Sequence, residues 1–309
     1  MTFTTRLKEE ITKNDISPLE SLIELSAYVR YSSQIKKNKI ILTFENASVA
    51  RRIYKDIKYN FGINIKITIR NQKRFRIKQI YILEITEKVD DILETLNINK
   101  EGKRTLPEDY FLNSREEIMG FLKGAFLACG SVNDPASAGY HLEFTSSFKK
   151  DGLFLASLLK EFNIQAKVLK RNNNYMTYIK SAEMISDVIR LLGATNCFFY
   201  FEDIRIYRDH KNMVNRLNNC EIANQEKVLK TGLKQLDDIN YLKENDLLGL
   251  LDDNVREAIK YREAYPETSL AELADIISQE TGHQIGKSGV NHYFIKVKKL
   301  VERHRNRKE

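Results

Sequence analysis

The sequence predicts an α+β architecture in which one helix-and-strand unit occurs twice, followed by an all-α domain. Three observations carry this. A stretch of the chain resembles another about a hundred residues further on. Both copies interleave β-branched alternation with helical spacing. The C-terminal third has the caps and apolar stripes of short helices.

The repeat is visible in LTFENASVARRIYKDIKYNFGINIK (42–66) against LEFTSSFKKDGLFLASLLKEFNIQAK (142–167). Phe44 matches Phe144, Phe61 matches Phe162, Ile63 matches Ile164 and Lys66 matches Lys167. Upstream, ELSAYVRYSSQI (24–35) lies against FLKGAFLACGSV (121–132). The order of elements is the same in each copy. Helices are expected over 18–31 and 114–128, strands over 39–45 and 140–145, helices over 46–60 and 149–162, and strands near 63–70 and 165–171. A further strand, 74–85, follows in the first copy, and short helices near 88–96 and 181–192 close the two copies.

In the hairpin 63–85, Ile63, Ile65, Ile67 and Ile69 alternate with Asn64, Lys66, Thr68 and Arg70, because strand side chains point to opposite faces. Beyond a turn at 71–73, Phe75, Ile77, Tyr81 and Leu83 continue the apolar face, while Arg74, Arg76 and Lys78 continue the basic one. The face of Lys66, Arg70, Arg74, Arg76 and Lys78 is either a platform for a polyanion or a solvated surface whose charges protect the sheet.

Residues 208–227 read as a polar connecting helix. Residues 252–264 start on Asp252-Asp253 and stop before Pro266, and Ser269 with Glu272 forms a capping box ahead of Leu270, Leu273, Ala274 and Ile277. A third helix starts at Lys287-Ser288, with Val290, Phe294, Val297 and Val301 as its core stripe. Three short helices in this order predict a helix-turn-helix. Its expected DNA contacts are Ser269, Lys287, Ser288, Gly289, Asn291, His292, Lys296 and Lys299. Small and polar side chains early in the helix suit base edges, and the later cations suit phosphates.

Bulk properties agree. The net charge is +8, and it is sorted: residues 51–78 hold ten Lys/Arg against Asp56, and 283–309 hold eight against Glu302 and Glu309. No apolar run has the length of a membrane span, and the N-terminus lacks the apolar core of a secretory signal. A cytoplasmic, nucleoid-associated protein is expected. Cys129, Cys197 and Cys220 have no metal-type spacing.

Within each repeat the first helix resembles the LAGLIDADG helix of homing endonucleases, most clearly in LKGAFLACGS (122–131). Gly124, Ala128 and Ala27 would let two such helices approach closely. In those enzymes an acid just before the final glycine binds the catalytic metal, whereas here Ser32 and Cys129 hold these positions. A hydroxyl and a thiol are poor ligands for a hard divalent ion. No catalytic residue, metal or cofactor is therefore expected.

FLKGAFLACGSV, MVNRLNNCEIANQEK and SLAELADIISQETGHQIGKSGVNHYFIKVKKL resemble the WhiA family of bacterial sporulation and cell-division regulators. The resemblance implies a two-lobed LAGLIDADG-like pseudo-dimer joined to a helix-turn-helix, and DNA-binding regulation without nuclease activity. The expected domains are a first lobe (1–106), a second lobe (107–207), a helical linker (208–245) and the helix-turn-helix (246–309). Double-stranded DNA is the expected partner, RNA polymerase or another regulator a further one, and a membrane is not. A divergent metal-dependent endonuclease and a protein-interaction adaptor are the alternatives.

Overall fold

A computed structural model describes residues 1–36, 38–71, 79–98, 106–107 and 111–306. Two compact units divide at Arg208/Asp209. Among the described residues no helix is long and apolar enough to cross a membrane.

The first unit contains the repeat. Helix α1 (Phe3–Ile11), which the sequence reading did not anticipate, is capped by Thr2 and buries Phe3, Leu7 and Ile11 at four-residue spacing. Then come α2 (Pro18–Ser32), β1 (Gln34–Lys36), β2 (Lys39–Phe44), α3 (Ala47–Phe61), β3 (Lys66–Asn71), β4 (Gln79–Ile85) and α4 (Val89–Thr95). The second copy runs α5 (Arg115–Cys129), β5 (Gly130–Val132), β6 (Leu142–Ser146), α6 (Lys149–Lys160), β7 (Lys167–Arg171), β8 (Asn174–Ile179) and α7 (Ala182–Leu191). The two sheets have the same antiparallel topology, β1-β2-β4-β3 and β5-β6-β8-β7. The matched Phe44 and Phe144 are both buried, stacking on Tyr28 and meeting Phe126 edge-on.

The lobes meet through α2 and α5. A β-carbon added at Gly124 would lie 2.2 Å from the Glu24 carbonyl oxygen and 2.9 Å from the Ala27 methyl. The backbones therefore touch where the small residues were expected to permit it, while Ala128 is half-buried.

The apolar face of the first hairpin forms as expected, but it is only partly covered. Ile63 is buried and Ile65 packs against the core, but Ile67 and Ile69 are 51% and 55% exposed. They share the core side of the sheet with Leu83 and Tyr81, yet β3 is the edge strand, and among the described residues their outer flank stays open. Phe75 and Ile77 lie outside the described residues.

Glu24 of α2 is fully buried beside Arg52, at 3.4 Å, and the same guanidinium stands 3.1 Å from Asp56. One cation shared by two carboxylates does not offset dehydration, so burial pushes the Glu24 carboxyl up to about 7. Between about pH 4.5 and 7 the folded chain then keeps a proton that the unfolded chain has released, so stability should fall as pH rises across that window. The slope from this residue is at most about 1.4 kcal/mol per pH unit. Urea unfolding of Glu24→Gln beside wild type at pH 5, 6, 7 and 8 should show a flatter dependence in the variant; parallel curves would refute a proton on Glu24.

Helix α8 (Thr195–Glu244) is continuous over 50 residues, where a separate connecting helix from 208 was expected. In the second unit a 3-10 turn (Leu248–Leu250), α9 (Asp253–Ala264), α10 (Leu270–Thr281) and α11 (Lys287–Arg305) follow. Ile239 and Leu242 of α8 share one core with Val255, Ile259, Leu273, Ile277, Val290, Phe294, Val297 and Val301. Every stripe residue expected from the sequence in α11 is in that core.

Candidate nucleic-acid interface

The second unit is built around the turn between α10 and α11. The Ser269–Glu272 capping box forms as expected, with Ser269 Oγ accepting from the Glu272 amide at 3.2 Å and Glu272 accepting the Ser269 amide at 2.8 Å. These bonds hold the Glu272 carboxyl below its usual range. Gly282 ends α10 in the left-handed region at φ 74°, which a side chain would oppose. Ser278 Oγ accepts the Ile285 amide at 3.0 Å and closes the turn. Gly286 caps α11 without a side-chain bond, so the first amides of α11 point away from any side-chain acceptor on that cap.

Lys287, Ser288, Asn291, His292 and Lys299 are exposed. Two expected contacts are placed otherwise. Lys296 is half-buried, and its ammonium donates to Asp252 Oδ2 at 2.7 Å, which holds the Asp252 carboxyl below its usual range. It braces α11 against the start of α9, so a phosphate would have to compete with a carboxylate. Gly289 is half-buried, and an added β-carbon would come 2.8 Å from Ile285 Cγ1. Its smallness lets the turn pack against Ile285.

Ser269 and Lys287, distant in sequence, line one hollow of about 220 Å³ together with Lys227 of α8 and Arg262. Lys227 and Arg262 were missed. Arg262 is fully buried and donates to the carbonyls of Thr268 (2.7 Å) and Tyr265 (3.2 Å), with Pro266 at 3.5 Å and its guanidinium 5.6 Å from the Phe294 ring centre. It ties the α9–α10 loop to α11 and so sets the position of the α10 N-terminus. That terminus, with Lys227 and Lys287 beside it, has the chemistry of a phosphate site.

The first unit offers a weaker surface. Lys66 and Arg70 stand on the outer face of β3, both exposed, but Glu84 on β4 lies 3.7 Å from Lys66 and 3.7 Å from Lys39. The acid splits two cations and lowers the charge of that face. Arg74, Arg76 and Lys78 lie outside the described residues.

At the helix ends, Ser32 Oγ donates to the Tyr28 carbonyl at 2.8 Å and Cys129 Sγ to the Ala125 carbonyl at 3.3 Å. Burial pushes the Cys129 thiol up to about 12, so it stays protonated. Lys8 of α1 donates from Nζ to the Leu127 carbonyl at 3.0 Å, near the negative end of the α5 dipole. Burial lowers its pKa, and the Glu45 carboxylate opposes this. Thr4 Oγ1 and the Val132 backbone bond each other at 2.8 and 2.9 Å, fixing α1 over β5. Thr4, Lys8, Glu45, Asn46, Ser131 and Asp134 help to line an open cleft of about 1130 Å³ at this place. Among the described residues no three His, Cys, Asp or Glu side chains are grouped to hold a metal ion.

Comparison with known proteins decides the lineage. The Probable cell division protein WhiA of Bacillus pumilus is 37% identical over 313 residues, covering 99% of this chain and 98% of the relative. The chain belongs to the WhiA family. The protein of the same name from Listeria monocytogenes is 34% identical over 99% of this chain and 96% of its own length. Family models match in order along the chain: the WhiA N-terminal LAGLIDADG-like domain over 18–99, the WhiA LAGLIDADG-like domain over 118–211 and the WhiA C-terminal HTH domain over 214–301. The full-length DUF199/WhiA of Thermotoga maritima has the same fold, with a TM-score of 0.58 at 23% identity over 98% of this chain and 99% of that one. The resemblance read from FLKGAFLACGSV, the linker and KSGVNH is thereby established, as is the two-lobed fold with an appended helix-turn-helix.

Proposed function

We propose that this chain is a transcriptional regulator of cell division, sporulation or chromosome organisation that binds duplex DNA through α11 and does not cleave it. The observation that carries the reading is the exposed row of Lys287, Ser288, Asn291 and His292 at the start of α11, next to the basic hollow at the start of α10. A helix inserted by its N-terminal residues reads base edges in the major groove, while adjacent cations and amides hold the phosphates. Asn291 pairs with adenine in this reading, and Lys287, Lys227 and Lys299 neutralise the backbone. Ser269 holds a phosphate oxygen through the hydroxyl proton that its capping role leaves over. Lys66 and Arg70, with Arg74, Arg76 and Lys78, form a secondary contact. Occupancy of an operator at the nucleoid then regulates transcription, directly or through RNA polymerase or another regulator.

The reading without hydrolysis rests on Ser32 and Cys129 in place of carboxylates and on Lys8 at the end of α5. A divalent ion there meets a tethered positive charge and no anionic ligand from either helix end.

The test is DNA binding by gel shift at several salt concentrations. Asn291→Ala should cost about 1–3 kcal/mol on a selected site and leave random duplex nearly unaffected. Lys287→Ala should weaken all duplexes alike and lower the salt slope by about one. Wild-type affinity and slope in both variants would remove α11 as the reader.

A further inference from the structure

The mid-section of α8 carries a second surface that the helix-turn-helix reading does not use. Lys211, Asn212, Asn215, Arg216 and Asn219 are all exposed, and none makes a hydrogen bond or ion pair within the described residues. At about 100° per residue the five side chains fall on one side of the helix, within roughly 140° of each other. The one acid between His210 and Gln225 is Glu221, which projects from about the opposite side to Asn212. Asparagine is also a weak helix former, because its amide competes for the backbone. Yet Asn212, Asn215, Asn218, Asn219 and Asn224 stand in the interior of a continuous 50-residue helix, all exposed. Helix formation and core packing do not account for them there.

We propose that this face of α8 is a second DNA-contacting element, lying in the major groove about one helical turn from the one read by α11. The inference rests on the DNA-binding reading above. Amides aligned with two cations match a duplex edge: Asn offers a donor and an acceptor to adenine, Arg two donors to guanine, and Lys a charge to phosphate. From Lys211 to Asn219 the face extends about 12 Å at 1.5 Å per residue, close to the ~12 Å width of the major groove. Asn215 lies about 32 Å along the helix from Leu236, where α8 packs against the reading domain; a B-DNA turn is ~34 Å. Asp209 lines the hollow beside Asn212 and Arg216 at the N-terminal edge of the face, but from Lys211 to Asn219 the face holds two cations and no acid, which favours a polyanion over an acidic-and-apolar protein surface.

The experiment uses the full chain with three alanines, at Asn212, Asn215 and Arg216. Alanine is the better helix former, so α8 should hold, and circular dichroism checks this. The probes are duplexes of about 14 and about 36 base pairs, little more than one turn and more than three, each of one defined sequence carrying a site selected with the wild-type chain. The triple variant should lose about 10- to 100-fold in affinity for the long duplex and little for the short one. Its hydroxyl-radical footprint on the long duplex should shrink by one turn. Lys287→Ala, in contrast, should weaken binding to both. Wild-type affinity and footprint in the triple variant, with Lys287→Ala impaired, would overturn the α8 surface and leave the α11 reading intact. A wild-type chain that bound neither duplex would overturn both. Loss confined to single-stranded RNA of the same sequence would reassign the face to RNA and end the proposal.

Discussion

Gly124→Val should destabilise the full chain by about 3 kcal/mol or more, seen as a large drop in the urea midpoint of the first unit. Away from tertiary contacts, removing a helical glycine gains up to about 1 kcal/mol. Here the first added carbon already lies 2.2 Å from the Glu24 carbonyl oxygen, and the atoms at fault are backbone that cannot rotate away. The helices must separate, and the cost extends along the α2–α5 seam, where Gly120 would meet the Glu20 side chain at 3.3 Å. Gly249→Ala, with open space around it, is the control. An unchanged midpoint for Gly124→Val would mean that the helices do not touch at this point.

Arg262→Met should disable the second unit. The substitution keeps the buried volume but leaves the Thr268 carbonyl without the donor it has now, while the Tyr265 carbonyl keeps the Thr268 hydroxyl at 2.7 Å; an unsatisfied acceptor costs about 1–3 kcal/mol. The expected loss is about 1–3 kcal/mol, a large part of a domain's stability. Arg262→Lys should fall between, since one ammonium does not span the fork that a guanidinium provides. Hydrogen exchange at the amides of α10 is the readout, because a loop released from α11 exposes that helix first. Protection equal to wild type in Arg262→Met would show that the buried guanidinium does not hold the domain together.

The difference between what was legible in the sequence and what was not has a physical cause. Helices α2 and α5 were legible because a close crossing demands small residues, and Gly124 and Ala27 record that demand locally. The stripe Val290, Phe294, Val297 and Val301 was legible because burial on one helix face fixes the spacing. Strands β1 and β5 were not: three residues are too few for alternation to rise above chance. Helix α1 had its signal in Phe3, Leu7 and Ile11, but over two short turns near a terminus. The site residues divide in the same way. The cap at Ser269 was legible from a pattern three residues long, whereas the pairing of Lys296 left no local signal because Asp252 comes 44 residues earlier in the chain. Lys8 was missed because its acceptor, Leu127, is 119 residues away. A cation's role depends on its partner, and local patterns do not encode distant partners. Of the hairpin cations, Lys66 and Arg70 alone can be set against the described structure, and Glu84 qualifies the first of them.

The ammonium of Lys8 at the close of α5 also changes how the lobes depend on their surroundings. In a metalloenzyme the positive charge at such a junction is borrowed from solution, and it varies with ion supply and with chelators. Here it is covalently part of the chain and arrives whenever α1 folds into place. The cation that meets the last carbonyls of α5 thus cannot diffuse away, and its presence depends on the N-terminal segment folding against that helix.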